Sequence, residues 1–127
     1  MERQVIDHAA LRKDKITVIE NGISLDKINT TSSAKKSDLS SDSPDADDII
    51  LQVSSFQEPK DQSTVIKSLV HLPDHFKVLL VGEGVQKEKC VNLATELRIQ
   101  DRVFFLGVRM DVPQLLKTAD IVVLSSK

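Results

Sequence analysis

The chain has 127 residues, with 17 Lys and Arg against 19 Asp and Glu and a formal net charge of −2. It has no Trp or Tyr, 4 Phe and no basic stripe, so it has neither the electrostatic footprint nor the stacking rings expected of a nucleic-acid binder. No apolar run approaches a membrane span, no secretory leader is visible and the single Cys90 cannot close an internal disulfide, which together point to a reducing cytoplasm.

In chain order, ERQVIDHAALRK (2–13) has the composition of a short helix. KITVIENGI follows, with Ile16, Val18 and Ile19 suggesting a short strand and Asn21-Gly22 a turn in which both residues tolerate positive φ. Residues 30–48, TTSSAKKSDLSSDSPDADD, are rich in Ser and Asp with almost nothing to bury. They read as a flexible linker or surface insertion. The expected division is therefore 1–29, an interdomain connection with a first strand and turn, then 30–47, the linker, and 48–127, a folded α/β domain. The core then belongs to roughly 80 residues, small for a self-sufficient domain. Asp47-Asp48 is expected to be a solvated acidic pair rather than a phosphoacceptor pocket, since it precedes the first strand of that domain.

From Asp48 onward the pattern is regular. IILQVSS (49–55) is a nearly continuous apolar run, as in a strand covered on both faces. KDQSTVIKSLVHL (60–72) places Val65, Ile66, Leu69 and Val70 on one helical face, with Asp61 as N-cap. FKVLLVG (76–82) is a second buried strand. VQKEKCVNLATELRI (85–99) is a helix burying Cys90, Leu93, Ala94 and Leu97, and Cys90 is expected to be a buried, inert thiol. RVFFLG (102–107) is a third strand. Asp111 is expected to cap the next helix, with Pro113 in its first turn and Gln114 completing a capping box. DIVVLSS (120–126) is the fourth strand. His8, His71 and His75 lack zinc-ligand spacing and are expected at the surface or at helix ends, so no metal site is expected.

Strand and helix alternate every 20 residues or so, the pattern of βαβ units. Right-handed crossovers turn that pattern into a Rossmann-like, doubly wound parallel sheet of expected order 3-2-1-4. Ligands of such sheets bind outside the carboxyl ends of the strands, where the winding reverses. One lip of that crevice is the loop SSFQEPK (54–60), and the other begins after Ser126.

Four segments, ITVIENGI, ILQVSSFQEPKDQSTVIKSL, VLLVGEG and DRVFFLGVRMDVPQLLKTADIVVLSS, together resemble the carboxyl-terminal half of a retaining glycosyltransferase of the GT-B fold. The similarity is to the large bacterial group that builds capsular polysaccharide and lipopolysaccharide. It covers about residues 14–127, with the Ser-rich stretch outside the pattern. VGEG alone is a weak Gly-x-Gly signal, whereas four motifs in order and spacing are specific. The resemblance implies a nucleotide-sugar donor as substrate, and a glycan or lipid-linked acceptor bound by an amino-terminal domain. It implies no cofactor and no metal, and a cytoplasmic enzyme working at the inner face of the membrane. The family continues past VLSS with an E-x7-E motif whose glutamates hold the donor sugar and ribose. The chain is therefore expected to be a fragment, inactive by itself and prone to self-association.

The resemblance also implies site residues. Lys60 matches the family lysine that neutralises the donor diphosphate, an electrostatic role toward the leaving group. Ser55 departs from the pattern: the family has Gly-Arg where this chain has Ser54-Ser55, so a hydroxyl stands in place of a guanidinium. Gly82 and Gly84 fall in the donor-binding loop after the second strand. Val108 and Arg109 follow the third strand, where the family reads the nucleobase with backbone groups. Arg109 is otherwise expected to be an exposed charge. Two other readings stay open: a non-catalytic nucleotide-binding or interaction module on the same fold, and a nucleotide-sugar epimerase of related fold.

Overall fold

The structure, a computed structural model, describes residues 17–36 and 47–127. The helix expected over 2–13, Ile16 and His8 lie outside the described residues.

Helix α1 spans Leu25–Thr30. Strand β1 (Asp48–Val53), helix α2 (Gln62–Leu69), strand β2 (Phe76–Val81), helix α3 (Lys87–Glu96), strand β3 (Val103–Gly107), helix α4 (Val112–Thr118) and strand β4 (Ile121–Val122) follow, with a 3-10 turn at Gln100–Arg102 before β3. The sheet is parallel and its order is β3-β2-β1-β4, as expected. Asp48 pairs with Phe76 and Val53 with Val81, so β1 and β2 end level. The β2–β3 register shifts between Leu80 and Val81, which brings Gly107 opposite Val81.

The apolar runs are buried on both faces because side chains alternate along a strand. Ile50, Val78 and Leu80 face one way, where they join Phe56, Val65, Ile66 and Leu69 and the α3 residues Cys90 and Ala94. Ile49, Leu51, Leu79 and Val81 face the other way, against Leu115 of α4. Each such side chain contributes about 1.5–3 kcal/mol on leaving water. Arg102, 6% exposed, pins the β2 entrance by donating to Leu72 O, Pro73 O and Phe76 O at 3.0, 2.7 and 3.2 Å. Burial pushes the Cys90 thiol above its ordinary value, as an inert thiol requires.

Several local expectations are corrected. Residues 17–24 are irregular rather than a strand, and Val18, Ile19 and Ile23 are exposed: with no neighbouring strand, an isolated apolar run has nothing to pair with. Asn21 and Gly22 are not in the left-handed region and make no turn there. The start of the Ser/Asp-rich stretch is held against the sheet. Ala34 N–H donates to Thr118 Oγ1 at 3.0 Å, and Lys36 Nζ reaches both Asp47 O and Asp120 Oδ2 at 2.7 Å. Asp47 is buried and Asp48 pairs with His75 at 3.3 Å, so the acidic pair is not simply solvated. Residues 37–46 lie outside the described residues. Val70 is 47% exposed because α2 ends at Leu69 and the chain turns away. Leu93 and Leu97 are half-buried. The fourth strand is ladder-paired only at Ile121 and Val122, against β1 alone.

Candidate functional site

Three loops leave the carboxyl ends of β1, β2 and β3 side by side, and backbone hydrogen bonds tie them together. Ser54 N–H donates to Val81 O, Gly82 N–H to Gly107 O and Phe56 N–H to Glu83 O, at 3.0, 2.8 and 2.9 Å. Such close backbone approach needs glycine. Gly82 has φ +138°, and a Cβ there would sit 2.1 Å from Ser54 O. Gly84 has φ +154°, and its Cβ would meet Phe56 O at 2.5 Å. Both glycines thus serve the packing of loop on loop.

A cleft of about 320 Å³ opens over these loops, lined by Val53, Ser54, Ser55, Val81, Gly82, Glu83, Val108, Arg109 and Val112. It brings together four of the residues singled out from the sequence: Ser55, Gly82, Val108 and Arg109. It leaves out Gly84, which is buttressed by Phe56, and Lys60. A larger groove of about 630 Å³ runs between α2 and α3, lined by Asp61, Lys67, Glu88 and Lys89 among others. It presents both signs of charge on helix flanks, and Asp61 and Lys127 bring one end of it to the lips of the crevice. The smaller cleft, at the strand ends, is the better candidate on physical grounds.

Lys60 sits at the far end of the β1 loop. Its backbone forms an antiparallel bridge with Ser126: Asp61 N–H donates to Ser125 O at 3.0 Å and Lys127 N–H to Pro59 O at 2.8 Å. The two lips of the crevice are thus joined by main chain. Lys60 is half-buried, and its ammonium has no partner among the described residues.

Arg109 is not the exposed charge expected. Its Nε and Nη2 donate to Asp111 Oδ1 and Oδ2 at 2.8 and 2.6 Å, a bidentate pair. The hydrogen bonds raise the Arg109 guanidinium above its ordinary value and hold the Asp111 carboxyl below its own. They also overturn the capping box. Asp111 stands at the N-cap of α4, but its side chain caps nothing there, because a charge-assisted fork outcompetes a bond to a peptide N–H.

Sequence reasoning missed a buried polar cluster beneath the β1 loop. Gln52 and Gln62 are 1% and 2% exposed. Both donate from Nε2 to Ser54 Oγ at 3.0 Å, and Gln62 Nε2 also donates to Ser55 O at 2.8 Å. Their Oε1 atoms have no hydrogen-bond partner among the described residues. The available signal was a glutamine inside the otherwise apolar run IILQV. Glu83 was missed as well: it lines the cleft and pairs with Lys87 at 2.6 Å.

The sequence pattern of the family described as Glycosyl transferases group 1 matches residues 34–127. The lipopolysaccharide core biosynthesis glycosyltransferase LpsE of Rhizobium meliloti is 30% identical over 114 residues, 90% of this chain and 32% of that protein. The N-acetyl-alpha-D-glucosaminyl L-malate synthase of Bacillus anthracis is 31% identical over 85 residues, 65% of this chain and 22% of that protein. Among solved structures, Anabaena Alr3699/HepE in complex with UDP-glucose superposes with a TM-score of 0.77 at 28% identity, over 98% of this chain and 35% of that one. The chain therefore spans no more than about a third of the length of these relatives. On the match over residues 34–127 and the 3-2-1-4 parallel sheet, it belongs to the glycosyl transferases group 1 family, with the Rossmann-like architecture of a GT-B domain.

Proposed function

We propose that this chain is the donor-binding part of a retaining glycosyltransferase that uses a UDP-sugar in cell-surface polysaccharide synthesis. The observation that carries the reading is the cleft at the strand ends, where Ser55, Gly82, Val108 and Arg109 converge in a chain similar to a UDP-glucose-binding structure. In this reading the nucleoside lies over Gly82 and Val108, and the diphosphate extends along the β1 loop toward Lys60. The lysine's flexible four-carbon stem brings a compact cation to the diphosphate from outside the cleft. As the sugar leaves, that cation stabilises the charge growing on the departing nucleoside diphosphate.

The acceptor, a glycan or lipid-linked sugar, is met by an amino-terminal domain of the kind the longer relatives have room for. No metal or other cofactor takes part, and the reaction runs in the cytoplasm at the inner membrane face. Among the described residues no helix is long and apolar enough to cross a membrane.

Calorimetric titration with UDP tests the reading. Lys60→Ala removes one charge-assisted contact worth about 1.5–3 kcal/mol, roughly a tenfold to hundredfold loss of affinity. Ser55→Arg restores a guanidinium beside the phosphates and should strengthen binding. Unchanged affinity in the Lys60 variant would remove the lysine from the site. No effect of Ser55→Arg would mean that this position does not face the diphosphate.

A further inference from the structure

The Arg109–Asp111 pair is made at the expense of a helix cap. Asp111 stands at the N-cap position of α4, yet its side chain caps nothing there, so the helix forgoes the stabilisation a cap would give. Both carboxylate oxygens go instead to Arg109, accepting from Nε at 2.8 Å and from Nη2 at 2.6 Å. A planar fork of this kind fixes the guanidinium in one plane and one direction. It occupies a single edge of the group. The opposite edge, Nη1 and the second N–H of Nη2, has no partner among the described residues and can only donate. Arg109 lines the cleft and Asp111 does not, so the carboxylate stands behind the guanidinium and the free edge is the one left for a ligand.

The surroundings say what that edge can take. Val53, Val81, Val108 and Val112 line the same cleft, a setting for a flat, uncharged ring rather than for a hydrated anion. The fork also sets a carboxylate against the guanidinium at contact distance, so the pair as a whole carries little net charge. What remains is a directional donor that suits a neutral carbonyl oxygen. A diphosphate placed there would meet the charge of Asp111 as well as that of Arg109.

We propose that Asp111 is a positioning residue for the nucleobase end of the cleft: by holding one edge of the Arg109 guanidinium, it presents the other edge to a ring carbonyl oxygen of a bound nucleobase. The proposal rests on the donor-binding reading above and adds to it a side-chain contact and the residue that aims it. Asp111 itself touches no ligand. In the competing arrangement the pair only ties the β3–α4 loop together, and the base is held by apolar contact alone.

The test is titration of the full chain with UDP, with uridine and with inorganic pyrophosphate, on Arg109→Met, Asp111→Ser and the Arg109→Met/Asp111→Ser pair, with folding checked by circular dichroism. Methionine keeps an unbranched stem without the donors, and serine keeps an N-cap residue without the fork. Each single variant should bind UDP and uridine about fivefold to tenfold more weakly, the worth of one hydrogen bond. Pyrophosphate affinity should not fall. The double variant should be no weaker than Arg109→Met, because Asp111 acts through Arg109. If Asp111→Ser does not fold, Asp111→Asn carries the comparison. Unchanged UDP and uridine affinity in Arg109→Met overturns the proposal and leaves the donor reading standing. A further loss in the double variant makes Asp111 a structural residue of the loop and overturns its positioning role. A loss for pyrophosphate with uridine spared overturns the base contact. A chain that binds no UDP at all overturns both readings.

Discussion

Gly82 carries the most demanding single position in the chain. At φ +138° an L side chain is strained, and its Cβ would sit 2.1 Å from the Ser54 carbonyl oxygen. That oxygen belongs to backbone held by its own ladder bond, so it cannot step aside as a flexible side chain could. Gly82→Ala should destabilise the domain by at least about 2 kcal/mol, strain and steric conflict adding. Gly22→Ala is the control: a Cβ there meets nothing within 4 Å, and the change should be neutral within about 0.5 kcal/mol. Urea denaturation of both variants checks the contrast. A Gly82→Ala midpoint equal to that of the unsubstituted chain would mean that the β1 and β2 loops are looser than their geometry. Arg109 makes a related point. Its chemistry is set by a partner two residues on, Asp111, which turns a surface cation into a half-buried ion pair beside the cleft.

Helix α2 joins the core to the β1 loop, and its start is held by one carboxylate. Asp61 Oδ1 accepts from Thr64 N–H at 3.3 Å and Oδ2 from the Thr64 hydroxyl at 2.7 Å. The Thr64 hydroxyl bond is the main reason the Asp61 carboxyl is held below its ordinary value. Asp61→Ala should cost about 1 kcal/mol, the usual worth of an N-cap. The sign of the pH dependence follows. The folded state prefers the ionised carboxylate, so the contribution is complete above the unfolded pKa, near ~4, and fades as pH falls through the lower folded value. The stability gap between Asp61→Ala and the unsubstituted chain, read from urea midpoints, should therefore be full at neutral pH and shrink in acid. A gap that grew in acid would reverse the assignment. Asp120 works in the same sense at the opposite end of the sheet. Burial pushes its carboxyl up, but the Ile49 N–H and the Lys36 ammonium outweigh burial and hold it low.

On the scale of the whole molecule, the sheet ends in two edge strands, β3 and β4. Strand β4 pairs with β1 through Ile121 and Val122 and, among the described residues, has no strand on its outer side. Ile121, Val122 and Leu124 are 44%, 53% and 63% exposed, beside a shallow groove of about 430 Å³ lined by Val65, Val123 and Leu124 among others. Apolar side chains along an unpaired edge favour pairing with another chain. This 127-residue chain should therefore self-associate at moderate concentration, and Val122→Lys should suppress the association by placing a charge on the edge. Sedimentation velocity over a wide concentration range checks it. A monomer throughout, or association untouched by Val122→Lys, would show that this edge is not the contact.

The apolar runs at 49–53 and 76–81 determined two strands buried on both faces. The intervening helical stripe determined a right-handed crossover, and hence the 3-2-1-4 order. These are local periodicities under a handedness rule, so they are legible without coordinates. Four motifs in order were enough to place the family. Only the tertiary structure decided which site residues meet. Ser55, Gly82, Val108 and Arg109 share a cleft because three loops are bonded edge to edge, while Lys60 is turned onto the Ser126 segment. It decided that Asp111 pairs with Arg109 rather than capping α4, a competition between two partners that spacing cannot rank. It also decided that two glutamines converge on Ser54, although Gln52 and Gln62 stand on different elements. Long-range polar contacts depend on side-chain direction after packing, and no periodicity in the chain encodes that direction.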